Sequence, residues 1–254
     1  MGSQSRELKH RGVILHKQPY RETSYILDIF SPEQGFITIL AKGIKNSRTS
    51  TAGLLETLNE LDFVSYKNPE SNWHIFKSGD VIKAHLFDCT YPQAQLLLAA
   101  AEFIRQLEIT AEDRSTFYDL LISYVTYIKN VEQNGIAIFW RYLLRNFKLL
   151  GIFLETDNCI ICNNNPLSFY GFIPTQSGFI CNNCYHPARD SQIIRLRAES
   201  SELLKNLSKI GNYLHEIKIS SDSGKEITRI LLLHLKEHFH KDFHLRSLDN
   251  YFTE

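Results

Sequence analysis

Four cysteines in two close pairs are the side chains best spaced for chemistry in this sequence. Cys159-Ile160-Ile161-Cys162 is followed, eighteen residues on, by Cys181-Asn182-Asn183-Cys184. Each C-x-x-C pair can wrap two thiolates around one face of a tetrahedral zinc ion, and the stretch between them can close as a small hairpin. That stretch carries Asn163 to Asn165, Gly171 and Gly178 for tight turns, and Phe169, Tyr170, Phe172 and Phe179 to cover a metal. Four thiolates complete the coordination sphere and leave no open position, so the expectation is one structural Zn2+ and no catalytic metal. Four reduced cysteines without a metal would not account for two knuckles at zinc-site spacing. Cys89 stands apart and reads as a small buried hydrophobe.

His234-Leu235-Lys236-Glu237-His238 matches the H-x-x-E-H pattern, in which two histidines on one helix face hold zinc and the glutamate is a general base. A metallohydrolase built on His234, Glu237 and His238 is therefore one rival reading. Histidine is abundant locally, however, and the stripe Ile227, Ile230, Leu231 and Leu235 already accounts for the packing of this helix. No third ligand segment is apparent, so the match reads as coincidence and no enzyme is expected. A zinc-ribbon adaptor that binds only protein is the other rival.

Charge is segregated near the start of the chain. Between Glu33 and Glu56 lie Lys42, Lys45 and Arg48 with no acid, in a stretch that also holds Gly43, Asn46, Ser47, Thr49, Ser50 and Thr51. With Lys9, Arg11, Lys17 and Arg21, these cations could follow a phosphate backbone. Tyr66, Trp73 and Phe76 could stack on bases, although core positions suit such rings better. A second basic stripe, Arg141, Arg145 and Lys148, runs beside Trp140 and Phe147 on a helical pattern, a combination suited to an acidic and apolar partner segment.

The elements that must position these residues change character along the chain. Val13 and Leu15, then Tyr25, Leu27 and Ile29, then Ile37, Ile39 and Ala41 alternate with period two, and strand-like stretches follow over Leu58–Tyr66 and Trp73–Lys77. Several short strands in fewer than ninety residues predict a small barrel. After Pro92 the period lengthens, predicting helices around Leu96–Leu107, Asp113–Val131, Gly135–Leu150, Ile193–Ile210 and Ile227–Phe239, with Ser220 to Gly224 as a loop. No internal repeat is visible.

Composition narrows the class. The 254 residues are 43% apolar and 22% charged, with seven prolines and twelve glycines, which excludes fibrous and disordered chains. Lys plus Arg total 28 and Asp plus Glu total 28, so a polyanion would have to be met by local charge and not by a global field. No apolar run is long enough for a membrane helix, and Met1 to Glu7 lacks the apolar stretch of a signal peptide. A cytoplasmic protein that makes no membrane contact is the expectation. Paired cysteines in a chain of this length fit a reducing compartment.

Arg11-Gly12-Val13-Ile14-Leu15, Pro19-Tyr20-Arg21-Glu22-Thr23-Ser24-Tyr25-Ile26-Leu27, Gly35-Phe36 and Ala41-Lys42-Gly43-Ile44-Lys45 resemble the start of the bacterial DNA repair and recombination protein RecO family. Phe147-Lys148-Leu149-Leu150-Gly151-Ile152 before the first knuckle, Gly178-Phe179-Ile180-Cys181, His238 and Arg246-Ser247-Leu248 are similar to later parts of that family. The resemblance implies a multidomain α+β chain. Its parts are an N-terminal OB-fold β-barrel over residues 1–85, an α-helical domain over 86–155 and 190–254, and a four-cysteine zinc finger inserted at 156–189. It also implies a non-catalytic, nucleoid-associated mediator that binds single- and double-stranded DNA and anneals strands. Such proteins associate with RecR, capture the C-terminal tail of single-stranded DNA-binding protein (SSB), and help load RecA onto SSB-coated DNA. On this reading Arg11, Lys17, Arg21, Lys42, Lys45 and Arg48 contact DNA, while Trp140, Arg141, Arg145, Phe147 and Lys148 receive the tail.

Overall fold

The computed structural model describes residues 7–44, 51–67, 71–187 and 193–253. By internal contacts they group into two compact units, Met1–Lys129 and Asn130–Glu254.

The first unit is built on strands β1 (Glu7–Tyr20), β2 (Ser24–Ser31) and β3 (Gly35–Ala41), a short helix α1 (Thr51–Leu54), and strands β4 (Asn59–Lys67) and β5 (His74–Ala84). They close as a barrel in the order β1-β2-β3-β5-β4. All pairings are antiparallel except β3 with β5, where Ile39 lies opposite His74 and Leu40 opposite Ile75. The alternation seen in the sequence points Ile14, Leu27, Ile29, Ile37, Ile39, Leu61 and Phe63 into one core. Phe76 packs against that core, as its type suggested.

Strand β1 serves two neighbours. Glu7–Val13 pairs with β4 and Val13–Tyr20 with β2, and the register slips between Ile14 and His16. A bulge of this kind bends the strand and increases its twist, which lets one long strand turn a barrel corner. Gly12 stands next to the bend because a Cβ there would lie 2.6 Å from Ile29 Cγ2 and 2.8 Å from the Phe30 carbonyl oxygen.

Helices α2 (Tyr91–Arg105) and α3 (Arg114–Tyr127) belong to the same unit. Thr90 and Gln93 form a capping box at the start of α2, and Pro92 stands in its first turn, where its missing N–H costs nothing. The expected face of α2 is buried, including Leu96, Leu97, Ala100, Phe103 and Ile104. On α3, Tyr118 donates a hydrogen bond to Glu60 Oε1 at 3.1 Å. Glu60 is only 4% exposed. The same oxygen accepts from Arg11 Nε at 3.1 Å and Nη2 at 2.8 Å, so one buried carboxylate joins β1, β4 and α3. His85 approaches its other oxygen at 3.7 Å, and burial holds that imidazole below its usual pKa.

In the second unit, α4 (Gly135–Leu149) packs against α6 (Ser221–Phe239), and a sheet in the order β7-β6-β8 carries the cysteine segment. Its strands are β6 (Phe169–Ile173), β7 (Gly178–Cys181) and β8 (Ile194–Arg195). The helix expected from Ile193 begins instead at Ala198, as α5 (Ala198–Asn206). Ile194 and Arg195 are drawn into pairing with Phe172 and Gly171, because the free edge of β6 offers backbone partners that a helix would leave unmet. In turn α6 starts six residues before Ile227, since the Ser220 hydroxyl accepts from Ser223 N and caps it.

The crowding around Gly12 makes it a test of barrel closure. Gly12→Ala is expected to lower stability by about 1–3 kcal/mol. Gly53→Ala, with open space around the new methyl group, should leave the urea midpoint unchanged or slightly raised.

Candidate functional site

The two knuckles meet across the β6–β7 hairpin. The sulfur atoms of Cys159, Cys162, Cys181 and Cys184 all lie within 4.8 Å of one another, with Cys162 Sγ 3.9 Å from Cys181 Sγ. A tetrahedron with metal–sulfur bonds of about 2.3 Å has edges of about 3.8 Å, so these residues fit a four-thiolate metal site. The first knuckle turns through Asn163, whose φ is 56°, and its amide donates to the Cys159 carbonyl at 2.8 Å. Ile160 donates to the Phe179 carbonyl at 2.9 Å and fills the space over Gly178, where a Cβ would lie 2.2 Å from Ile160 Cγ2. Gly178 is thus required for the knuckle and the hairpin to touch.

Backbone amides are aimed at sulfur. Cys181 N lies 3.4 Å from Cys159 Sγ. Burial of Cys159 opposes its ionisation, but hydrogen bonds from the backbone of Cys162, Cys181 and Ile161 outweigh it and bring the thiol down to about 6. Cys184 is pushed up to about 12, first by its hydrogen bond with Cys162 and then by desolvation. Opposite displacements of Cys159 and Cys184 within one cluster are what crowded sulfurs produce before a cation neutralises them.

The cations proposed to meet DNA fall into distinct groups. Arg11 is held by Glu60, and Lys17 is paired with Glu56 at 2.7 Å while resting over the Tyr25 ring. Arg21 and Lys42 are exposed and line one open recess of 580 Å3 with Tyr20, Glu22 and Gly43. Tyr20, which lines the recess, also makes an edge-to-face contact with Trp73, ring centroids 5.7 Å apart. Tyr66 is half-buried. Lys45 and Arg48 lie outside the described residues.

Comparison with known proteins decides the lineage. A family model for the N terminus of recombination protein O matches residues 5–85, and one for its C terminus matches residues 94–248. The chain belongs to the recombination protein O family. A DNA repair protein RecO from Thermoanaerobacter sp. (strain X514) is 23% identical over 249 residues, 96% of this chain and 98% of its own. Another, from Clostridium perfringens, is 28% identical over 181 residues, 68% of this chain and 70% of its own. A third, from Bacillus pumilus, is 22% identical over 245 residues, 93% of this chain and 89% of its own. Membership assigns the chain to DNA repair and recombination. Among the described residues no helix is long and apolar enough to cross a membrane.

Within this RecO-family chain, the expected partner face on α4 is rearranged. Trp140 and Phe147 are each 0% exposed. The Trp140 indole donates to Thr228 Oγ1 at 2.9 Å and the Phe147 ring packs on His234 at 4.9 Å, so both belong to the α4–α6 core and present no surface. A helix with a broad apolar face turns its largest rings inward, and the basic stripe is left on the opposite side. Arg145 and Lys148 are exposed there, while Arg141 lies over Gly211.

Among the described residues, His234, Glu237 and His238 do not form a metal-ligating group. His234 is buried and its Nε2 lies 2.6 Å from the Ile152 carbonyl oxygen, to which it donates in the neutral form. His238 touches it only by an edge-on ring contact at 4.6 Å. Sequence reasoning missed a different feature of this helix. Lys225 and Arg229 stand one turn apart and, with Arg246, rim a groove of 670 Å3 whose apolar lining includes Leu232, Leu248 and Phe252. The signal was present in the four-residue spacing of the cations, but the tail that completes the groove is remote in sequence.

Burial lowers the His234 pKa from 6.5 to about 4. The unfolded chain therefore binds a proton here at a pH where the folded chain does not, and stability is lost as pH falls from about 6.5 towards about 4. His234→Gln, which keeps a donor in place of Nε2, should flatten this loss, by an amount approaching about 3 kcal/mol at the acid end. Urea titrations of both proteins between those limits measure it.

Proposed function

We propose that this protein is a non-catalytic recombination mediator that binds single- and double-stranded DNA through its N-terminal barrel, which we read as an OB-fold. It anneals complementary strands and, with RecR, helps load RecA onto DNA coated by SSB. Cys159, Cys162, Cys181 and Cys184 hold one structural zinc in a finger spanning 156–189, inserted in a helical domain drawn from 86–155 and 190–254. The protein works in the bacterial cytoplasm at the nucleoid.

The observation that carries the DNA reading is the recess that Arg21 and Lys42 share with Tyr20, whose ring contacts Trp73, on the barrel of a recombination-family chain. Cations next to rings suit a strand whose phosphates and bases must both be met, and they need no base-specific contact. Arg11 and Lys17 are committed to Glu60 and Glu56, so they contribute less than their position in the sequence suggests. Lys45 and Arg48 extend the same cationic stretch in sequence.

For the SSB tail, a specific feature favours α6 over α4. An acidic and apolar segment needs exposed cations beside an open apolar floor, and the groove rimmed by Lys225, Arg229 and Arg246 has both. The edge formed by Arg145 and Lys148 has the charge, but its adjacent rings are buried.

Two measurements test these assignments. Arg21→Glu with Lys42→Glu should weaken binding to an oligonucleotide and reduce the slope of log K against log salt by about 1.4, at about 0.7 per single-strand phosphate contact. Lys17→Ala should leave the slope unchanged, and an unchanged slope in the double reversal would move DNA off the recess. For the partner, a labelled SSB tail peptide should bind at least about 10-fold more weakly to Arg229→Glu with Arg246→Glu, and normally to Arg145→Glu with Lys148→Glu. The opposite pattern would return the site to α4.

A further inference from the structure

One half-buried cation is held by the loop that carries half of the thiolates. Lys205 stands in the last turn of α5. Its ammonium group donates to Asn165 Oδ1 at 2.6 Å, to the Asp157 carbonyl at 3.3 Å and to the Pro166 carbonyl. It also lies over the Phe169 ring, 5.1 Å from the centroid. An ammonium group has three donors and no acceptor, so three oxygens and one ring face satisfy it.

The placement of those acceptors matters. Asp157 precedes Cys159 by two residues, and Asn165 and Pro166 follow Cys162 by three and four. The ammonium group therefore ties together the entry and the exit of the first knuckle. Phe169, beneath it, is opposite Cys181 in the β6–β7 register, so the same side chain also bears on the strand of the second knuckle. Within the knuckle, Cys159 N donates to the Asn164 carbonyl at 2.9 Å, which continues the clamp from Asn165 to the backbone of the first cysteine. Charge works in the same direction, because four thiolates around a divalent cation leave a net charge of about −2 that a nearby cation favours.

We propose that Lys205 is a positioning residue of the metal centre: by joining both ends of the first knuckle it keeps Cys159 and Cys162 at coordinating separation and slows release of the metal. This role rests on the zinc reading above. Groups that orient ligands from outside the coordination sphere change metal affinity by about 10- to 100-fold when removed. Here the orienting group acts on the loop backbone, and it comes from a helix more than twenty residues beyond the last cysteine.

The test begins with the zinc content of the full-length protein purified without chelator, where one zinc per chain is expected. Zinc release into excess chromophoric chelator is then timed for the parent, Lys205→Met and Lys205→Arg. Lys205→Met should release zinc about 10-fold faster or more, and Lys205→Arg should recover part of the loss, since its planar fork keeps the charge but fits three converging acceptors less well. The cobalt-substituted forms should share one thiolate charge-transfer spectrum, and the thermal midpoints of the metal-free proteins should agree. Equal release rates in the parent and Lys205→Met would overturn the proposal. So would a loss of stability in metal-free Lys205→Met as large as that in the zinc-loaded form, since it would make the clamp indifferent to metal. A parent without zinc would fail at the first step and remove the zinc reading and this role together.

Discussion

Strand β1 has to bond to two neighbours that lie on different sides of a closed sheet, and much of the first unit follows from how it does so. The register slip between Ile14 and His16 and the missing side chain at Gly12 let it bend without a clash. The bend sends its first half along β4, which sets Arg11 opposite Asp62 and near Glu60. Glu60 is buried there and must be satisfied, and Arg11 and Tyr118 do so. The geometry of one strand therefore decides that a cation conspicuous in the sequence serves the fold first.

The same principle sorts the remaining charge. Formal charge is balanced over the chain, and in the structure much of that balance is local: Lys17 with Glu56, Arg105 with Asp28, Arg197 with Asp222, Lys236 with Asp242. Surface pairs of this kind stabilise little, but each reduces the field that a passing phosphate would meet. Arg21 and Lys42 share a recess with Tyr20 and Glu22, and the Tyr20 ring is in edge contact with Trp73.

In the second unit the cysteine hairpin and the α4–α6 pair are organised by different chemistry. The hairpin buries one cluster about its sulfur atoms, Cys159, Cys181, Ile173 and Ile180, and also buries Phe169, Phe172 and Phe179 in mutual ring contact, so metal ligands and an apolar core share this small sheet. The helices bury Trp140, Phe147 and His234 with their polar atoms directed at Thr228 and the Ile152 carbonyl. A buried neutral histidine is a pH liability, tolerated because its hydrogen bond closes the chain after α4.

The sequence by itself determined the four-cysteine site, the strand-rich start and the helical remainder. These are local properties: ligand spacing, a period of two, and a period near four each need only neighbouring residues to be read. The core faces of α2 and α4 were legible for the same reason. The tertiary structure decided which functional candidates remain on the surface. Trp140 and Phe147 share a helix with a basic stripe, yet α6 covers them; Arg11 and Lys17 look like a phosphate track, yet β4 and the segment before it supply Glu60 and Glu56. Ile194 follows a helical pattern and becomes a strand because β6 has an open edge. The Lys205 clamp and the groove along α6 are likewise made by residues far apart in the chain. Pairing, covering and enclosure depend on which distant segment arrives opposite, and no local period encodes that.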